Sequence, residues 1–263
     1  MPHTNAKIAF FDSGLGGLSV LHYALRHLLG EQFVFYADED NVPYGTKDKA
    51  DILRFVDDAF TFLLRQNIKA IVVACNTATS VAVRAMREKY SLPVIGMEPA
   101  VKPALAVADN KRVMVVATPV TVGGEKLQQL LAKLNAADRV DALALPQLVA
   151  FAENADFAAA DAYLNEQFAP YNLENYGALV LGCTHFNYFK DAFRRLLPAG
   201  VRIIDGNEGT INELNRRLTA SGKRSALPPA PPVYFYSGRT VTDENELNRL
   251  AQYMRRLDDM YLL

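Results

Sequence analysis

The chain has two cysteines, 108 positions apart, in look-alike settings. In "VVACNTATS", Cys75 stands where a run of apolar β-formers gives way to small hydroxyl and amide residues. In "LVLGCTHFN", Cys183 stands at the same kind of boundary. A thiol at a strand end, followed by a helix N-terminus, faces backbone N–H groups that lower its pKa from about 8.5 and make thiolate available. Taken singly, a free cysteine is usually just a small buried hydrophobe. As a pair they suggest more: two thiols on opposite faces of one small molecule can remove a proton from one face and deliver one to the other. A zinc site from Cys75, Cys183 and His185 would need a fourth ligand, and neither cysteine belongs to a Cys-x-x-Cys pair. Catalysis therefore ranks ahead of metal binding, and neither metal nor organic cofactor is expected. Thiol redox chemistry would require the two sulfurs to approach disulfide distance.

Other polar residues gather at the ends of apolar runs. "DSGLGGLSV" carries Asp12 and Ser13; Gly14 and Gly16 match part of a dinucleotide fingerprint, but Ser19 occupies its third glycine position, a weak signal for NAD. The turn can instead bring backbone amides and the Ser13 hydroxyl to a substrate carboxylate. Asp12 would then bind an ammonium group or support a base, although helix capping explains the Asp-Ser pair as well. Asn76, Thr77, Thr184 and His185 follow the cysteines directly. The first three suit N-caps and also suit the amino and carboxylate groups of an amino acid, while His185 is placed as a proton relay beside Cys183. In "PYG", Tyr44 and Gly45 form either a plain turn or a carboxylate clamp. His3, His22 and His27 receive no role.

Positioning these residues requires a regular scaffold, and the apolar pattern predicts one. Strands are expected over 7–12, 33–38, 70–75, 93–98, 112–118, 141–146, 178–183 and 202–206. Helices lie between them, including 18–29, with Leu18, Leu21, Leu25 and Leu28 in one stripe, and 48–67. Alternating β and α units, with strands apolar on both faces, indicate an α/β fold with a parallel, helix-covered sheet. The strands repeat: "KIAFFDS" aligns with "RVMVVAT" at an offset of 105, and "AIVVACNT" with "ALVLGCTH" at 108. Buried strands resemble one another, but four pairs in register favour two homologous lobes meeting near residue 99. We expect one lobe from 1–98 plus 207–263 and the other from 99–206. The returning piece is a strand in "VYFYSG" and a helix over 243–257, after the Pro-rich "LPPAPP". Ligands of such sheets sit beyond the carboxyl ends of the strands, which puts both thiols at a cleft between the lobes.

The totals narrow the class further. The sequence has 263 residues, half of them hydrophobic and 22% charged, with a formal charge of −1. That balance belongs to an ordinary globular protein and argues against nucleic acid or an anionic membrane as the main partner. Two thiols in a chain of this size fit the cytoplasm. No secretory signal or membrane-length apolar run is visible.

Together these segments resemble the glutamate racemase family nearly from end to end. "FDSGLGGLSV", "VPYGTK", "VVACNTATS", "PVIGMEPAVKPA", "VVATPVTV" and "LVLGCTHF" stand in the family's order. Aspartate racemases and maleate isomerases share the two-cysteine plan but lack this opening loop. The resemblance implies a cofactor-independent enzyme that interconverts L- and D-glutamate and supplies D-glutamate for peptidoglycan. It implies Cys75 as the base toward D-glutamate, supported by Asp12, and Cys183 as the base toward L-glutamate, supported by His185 and Glu153. Substrate contacts are implied for Asp12, Ser13, Tyr44, Gly45, Asn76, Thr77, Thr184 and His185, and a homodimer is the implied assembly.

Overall fold

The computed structural model describes residues 5–263, so His3 lies outside the described residues. Mostly apolar runs rich in β-branched and aromatic residues become the strands. They are β1 (Lys7–Asp12), β2 (Phe33–Ala37), β3 (Ile68–Val73), β4 (Val94–Gly96) and β5 (Arg112–Ala117), then β6 (Val140–Ala144), β7 (Tyr176–Gly182), β8 (Arg202–Ile204), β9 (Val233–Tyr236) and β10 (Arg239–Thr240). They form two sheets, a six-stranded one in the order β10-β9-β2-β1-β3-β4 and a four-stranded one in the order β6-β5-β7-β8. All pairings are parallel except β9 with β10. The expected α/β architecture with two parallel-sheet lobes is what the chain adopts.

The repeat is visible in the topology. Matching β1–β4 with β5–β8 gives the same strand order in both sheets. Even an irregularity recurs: register shifts at Lys7/Ile8 between β1 and β3, and at Arg112/Val113 between β5 and β7. The returning segment joins the first sheet, with β9 beside β2. The sequence reading missed β10. It is two residues long and carries no periodicity; the Ser237–Gly238 turn before it, with φ of 43° and 83°, is of the kind that folds a two-residue hairpin.

Helices fit their apolar stripes more closely than their expected ends. The helix predicted over 48–67 is Lys49–Leu63. Ile52, Val56, Ala59, Phe60 and Leu63 are fully buried along it while Phe55 is partly so. Each large side chain on that face contributes roughly 1.5–3 kcal/mol of transfer free energy. The final helix runs Glu244–Tyr261, four residues beyond its expected end, and starts at Asp243, whose carboxylate accepts the N–H groups of Asn245 and Glu246. It seals the junction: Leu250, Tyr253, Leu257 and Met260 are buried, and Arg256 Nη2 donates to Asp191 Oδ1 at 2.6 Å. One apolar core runs across both sheets, from Ile8, Phe10 and Phe35 through Leu15 and Leu18 to Met114, Leu179 and Phe186.

Candidate active site

The carboxyl ends of the four central strands converge. β1 ends at Asp12, β3 leads into Cys75, β5 into Thr118, and β7 into Cys183. The two halves then bond to each other through these residues. Thr184 Oγ1 donates to Asp12 Oδ2 at 3.0 Å, Thr77 Oγ1 lies 2.8 Å from Thr118 Oγ1, and the Leu15 N–H donates to Glu153 Oε1 at 2.8 Å. Glycines permit the approach. A Cβ on Gly16 would sit 2.5 Å from both His185 Nδ1 and Thr184 Oγ1, and one on Gly14 would sit 2.1 Å from Glu153 Oε1. A Cβ at either position would force these neighbours to shift.

Cys75 caps the helix Asn76–Lys89 itself, its Sγ accepting the Ala78 N–H at 3.4 Å. Asn76 and Thr77 therefore sit inside the helix rather than capping it. Burial, then the nearby Asp12 carboxyl, push the thiol up to about 12, and the Ala78 N–H only partly offsets them. This corrects the expectation of a depressed thiol: at 6% exposure, desolvation of the anion outweighs one long amide contact. Ser13 Oγ lies 3.7 Å from Cys75 Sγ and donates to Asp12 Oδ1 at 3.4 Å, linking thiol to carboxyl. Asp12 is fully buried. Burial raises its pKa to about 6 despite His185, the Gly14 N–H and the Thr184 hydroxyl, all of which favour its ionised form.

Cys183 has a different escort. Its Sγ lies 3.7 Å from His185 Nδ1, and His185 Nε2 is in a short ion-paired contact with Glu153 Oε1. Burial alone would lower the imidazole pKa, but Glu153 and Cys183 hold it well above its usual value. Glu153, likewise desolvated, stays below the ordinary glutamate range because His185 and the Leu15 N–H stabilise its charge. The two shifts agree on an imidazolium–carboxylate pair, so His185 presents an N–H to each partner. Gly16 N–H lies 3.3 Å from the same Nε2, but that nitrogen cannot donate and accept together, and the charge-assisted contact wins.

The remaining expected residues sit around these two centres. Asn76 is buried, with Nδ2 donating to the Met97 carbonyl at 3.2 Å and Oδ1 without a partner. Tyr44 is buried with its hydroxyl committed to Asp38 Oδ2 at 2.6 Å, and Gly45 packs on Thr118. Both thiols are free and buried. Sequence reasoning missed Thr121, whose hydroxyl joins the Thr77–Thr118 pair, and Tyr188, whose hydroxyl holds the Leu15 carbonyl at 2.7 Å. It also missed Glu39 and Arg249, which flank Glu153 from distant segments. Among the described residues no helix is long and apolar enough to cross a membrane.

A duplicated parallel α/β scaffold thus carries one buried thiol at the equivalent strand end of each half. The Asp/Glu/Hydantoin racemase family matches the chain over residues 15–214. A glutamate racemase of Campylobacter curvus is 52% identical, covering 97% of this chain and 98% of its own. Glutamate racemase 2 of Bacillus subtilis is 42% identical, with 96% and 97% covered. The crystal structure of glutamate racemase isoform RacE1 from Bacillus anthracis aligns with a TM-score of 0.84 at 28% identity, covering 95% of this chain and 94% of that one. The chain belongs to the Asp/Glu/Hydantoin racemase family, and its enzymatic class is that of an amino-acid racemase.

Proposed function

We propose that this protein interconverts L- and D-glutamate without an organic cofactor, using Cys75 and Cys183 as an acid–base pair. The observation that carries the mechanism is the unequal escort of two buried thiols at equivalent strand ends: Ser13 and Asp12 beside Cys75, His185 and Glu153 beside Cys183. The choice of glutamate rests on the relatives. Racemisation needs one sulfur anion to take the α-proton while the opposite S–H supplies another, so the thiols exchange protonation states at each turnover. At neutral pH Cys75 holds its proton and is ready as the acid. Cys183, with the imidazolium N–H directed at its sulfur, is placed as the base toward L-glutamate. In the reverse direction Cys75 is the base, with the Ser13 hydroxyl and the Ala78 N–H facing its anion. Asp12, Ser13, Tyr44, Gly45, Asn76, Thr77, Thr184 and His185 are assigned to the amino and carboxylate groups, where fixed donors stabilise charge spreading into the α-carboxylate.

Both cysteines are only 6% exposed, so the halves must part to admit an amino acid and close over it. The Thr77–Thr118, Thr184–Asp12 and Leu15–Glu153 contacts are among those such an opening would break. We further propose that the enzyme works as a homodimer in the cytoplasm and supplies D-glutamate for peptidoglycan synthesis.

The test is racemisation of L-glutamate and L-aspartate side by side by pyridoxal-free protein, with α-proton exchange followed by NMR in heavy water. Wild type should invert glutamate. Cys75→Ala and Cys183→Ala should each abolish inversion, the first retaining exchange only with L-glutamate and the second only with D-glutamate. Full racemisation by either variant would overturn the two-thiol scheme.

A further inference from the structure

Beside the His185–Glu153 pair, three buried polar atoms have no hydrogen-bond partner: Glu153 Oε2, Glu39 Oε1 and the Tyr236 hydroxyl. Buried orphans are rare enough to need a reason. Two of them lie at the ends of one guanidinium. Arg249 Nη2 is 3.9 Å from Glu153 Oε2, and Nη1 is 4.0 Å from Glu39 Oε1, both too long for hydrogen bonds. Arg249 is tethered to this place, since Nη2 donates to the Glu153 carbonyl at 2.9 Å and Nη1 lies 3.4 Å from Glu246 Oε2. Glu153 Oε1, by contrast, is occupied by the Leu15 N–H and His185. The carboxylate that holds His185 thus has one oxygen committed and one open, and the guanidinium 3.9 Å from the open oxygen is shared with a second, partly buried carboxylate.

We propose that Arg249 and Glu39 are positioning residues for the Cys183 side of the reaction: Arg249 draws on the free oxygen of Glu153, Glu39 draws Arg249 away, and their balance sets how firmly Glu153 holds the His185 proton. The proposal rests on the two-thiol reading and extends it to residues that touch neither sulfur. Its electrostatic sign is fixed. A positive guanidinium nearby opposes a second positive charge on His185, and a negative Glu39 favours it. The groups facing the cluster are Cys183, Asp12 and Glu153 around His185, and Glu153, Arg249, His185 and Glu246 around Glu39. Tyr188, Tyr236 and Tyr253 adjoin Glu153. Burial first, then Glu153, bring the Glu39 carboxyl up to about 7, so its charge varies in the range where the enzyme would work.

The experiment is an NMR titration of the His185 ring in the whole, substrate-free protein, with the resonance assigned from His185→Gln, alongside the pH profile of kcat. Glu39→Gln should make His185 lose its proton at lower pH. Arg249→Met should make it do so at higher pH, each by about half to one pH unit, and the alkaline limb of kcat should follow. Arg249→Lys, which keeps the charge, should stay with the wild type. A role confined to packing would lower kcat or stability and leave the titration in place. If Glu39→Gln and Arg249→Met move the titration the same way, or Glu39→Gln does not move it, the proposal is overturned. Should Arg249→Met not fold, Glu39→Gln against Arg249→Lys decides the same point. Because the titration is read on resting protein, it stands apart from whether glutamate is the substrate. A wild type that does not racemise glutamate refutes the functional reading alone.

Discussion

Asp12 concentrates the cost of the site in one carboxyl. It is fully buried, and two good donors still leave its pKa at about 6 against an ordinary 3.8. Because the folded-state pKa is the higher, its favourable contribution to folding is complete below 3.8 and is lost as pH rises through about 6. Above that window the ionised group destabilises the protein by about 1–3 kcal/mol. Asp12→Asn should therefore raise the melting temperature near pH 7 by a few degrees and flatten the difference between about pH 4 and 6, while racemisation falls at least about tenfold. Calorimetry across pH and the racemisation assay check the two halves; a less stable Asn variant would show that the charge is not costly. The residue types at this scale could be read in advance, because Cys, Asp, Ser, Thr and His at strand ends advertise their chemistry. The direction of the Cys75 shift could not, since it depends on depth of burial and on Asp12 arriving from another strand.

Elements place these residues by closing off their far ends as firmly as their near ones. Lys69 interrupts the otherwise apolar β3 and is buried, with Nζ 2.5 Å from Glu31 Oε2 and donating to the Lys223 carbonyl at 2.8 Å. Glu31 Oε1 accepts the Ser225 N–H at 2.9 Å. The pair fastens the segment that follows the helix Asn207–Ala220 to the amino ends of the first sheet, opposite the thiols. Lys69→Met leaves Glu31 buried with only the partly exposed Arg224 guanidinium, 3.4 Å from Oε1, as a counter-charge, and should cost up to about 3–5 kcal/mol in denaturant unfolding. Adding Glu31→Leu should recover much of that loss; a single variant within about 0.5 kcal/mol of wild type would remove the pair from the account. Strand and helix existence was legible because two-sided burial and helical stripes leave strong periodicities. Ends were less so, as with Leu63 and Tyr261, because termini are decided by caps and neighbours rather than by pattern. The division at residues 98 and 207 remains our proposal for where one lobe hands over to the other.

At the scale of the whole molecule, the two α/β halves approach closely at the candidate site, and Gly16 is one of the residues that leaves room for it. Gly16→Ala would force His185 or Thr184 to shift, with each sheet left intact. Racemisation should drop about 100-fold or more, with far-ultraviolet circular dichroism unchanged; activity within twofold of wild type would show that the junction yields. Sequence pattern indicated that two halves meet and that their strand ends face one centre. It gave no sign of the Glu39–Arg249 bracket around Glu153, because residues so far apart share no local pattern that links them. The common strand order and repeated register shift have one more consequence. The scaffold brings two thiols to near-equivalent stations, but the escorts were not duplicated, so under the two-thiol proposal each hand of substrate meets a different partner. Mirror-image molecules have equal standard free energies, so the ratio of kcat to KM must be the same in both directions whatever the escorts do. Broken symmetry can only redistribute that common ratio between tight binding and fast turnover, which lets one hand be held longer without the other being favoured at equilibrium.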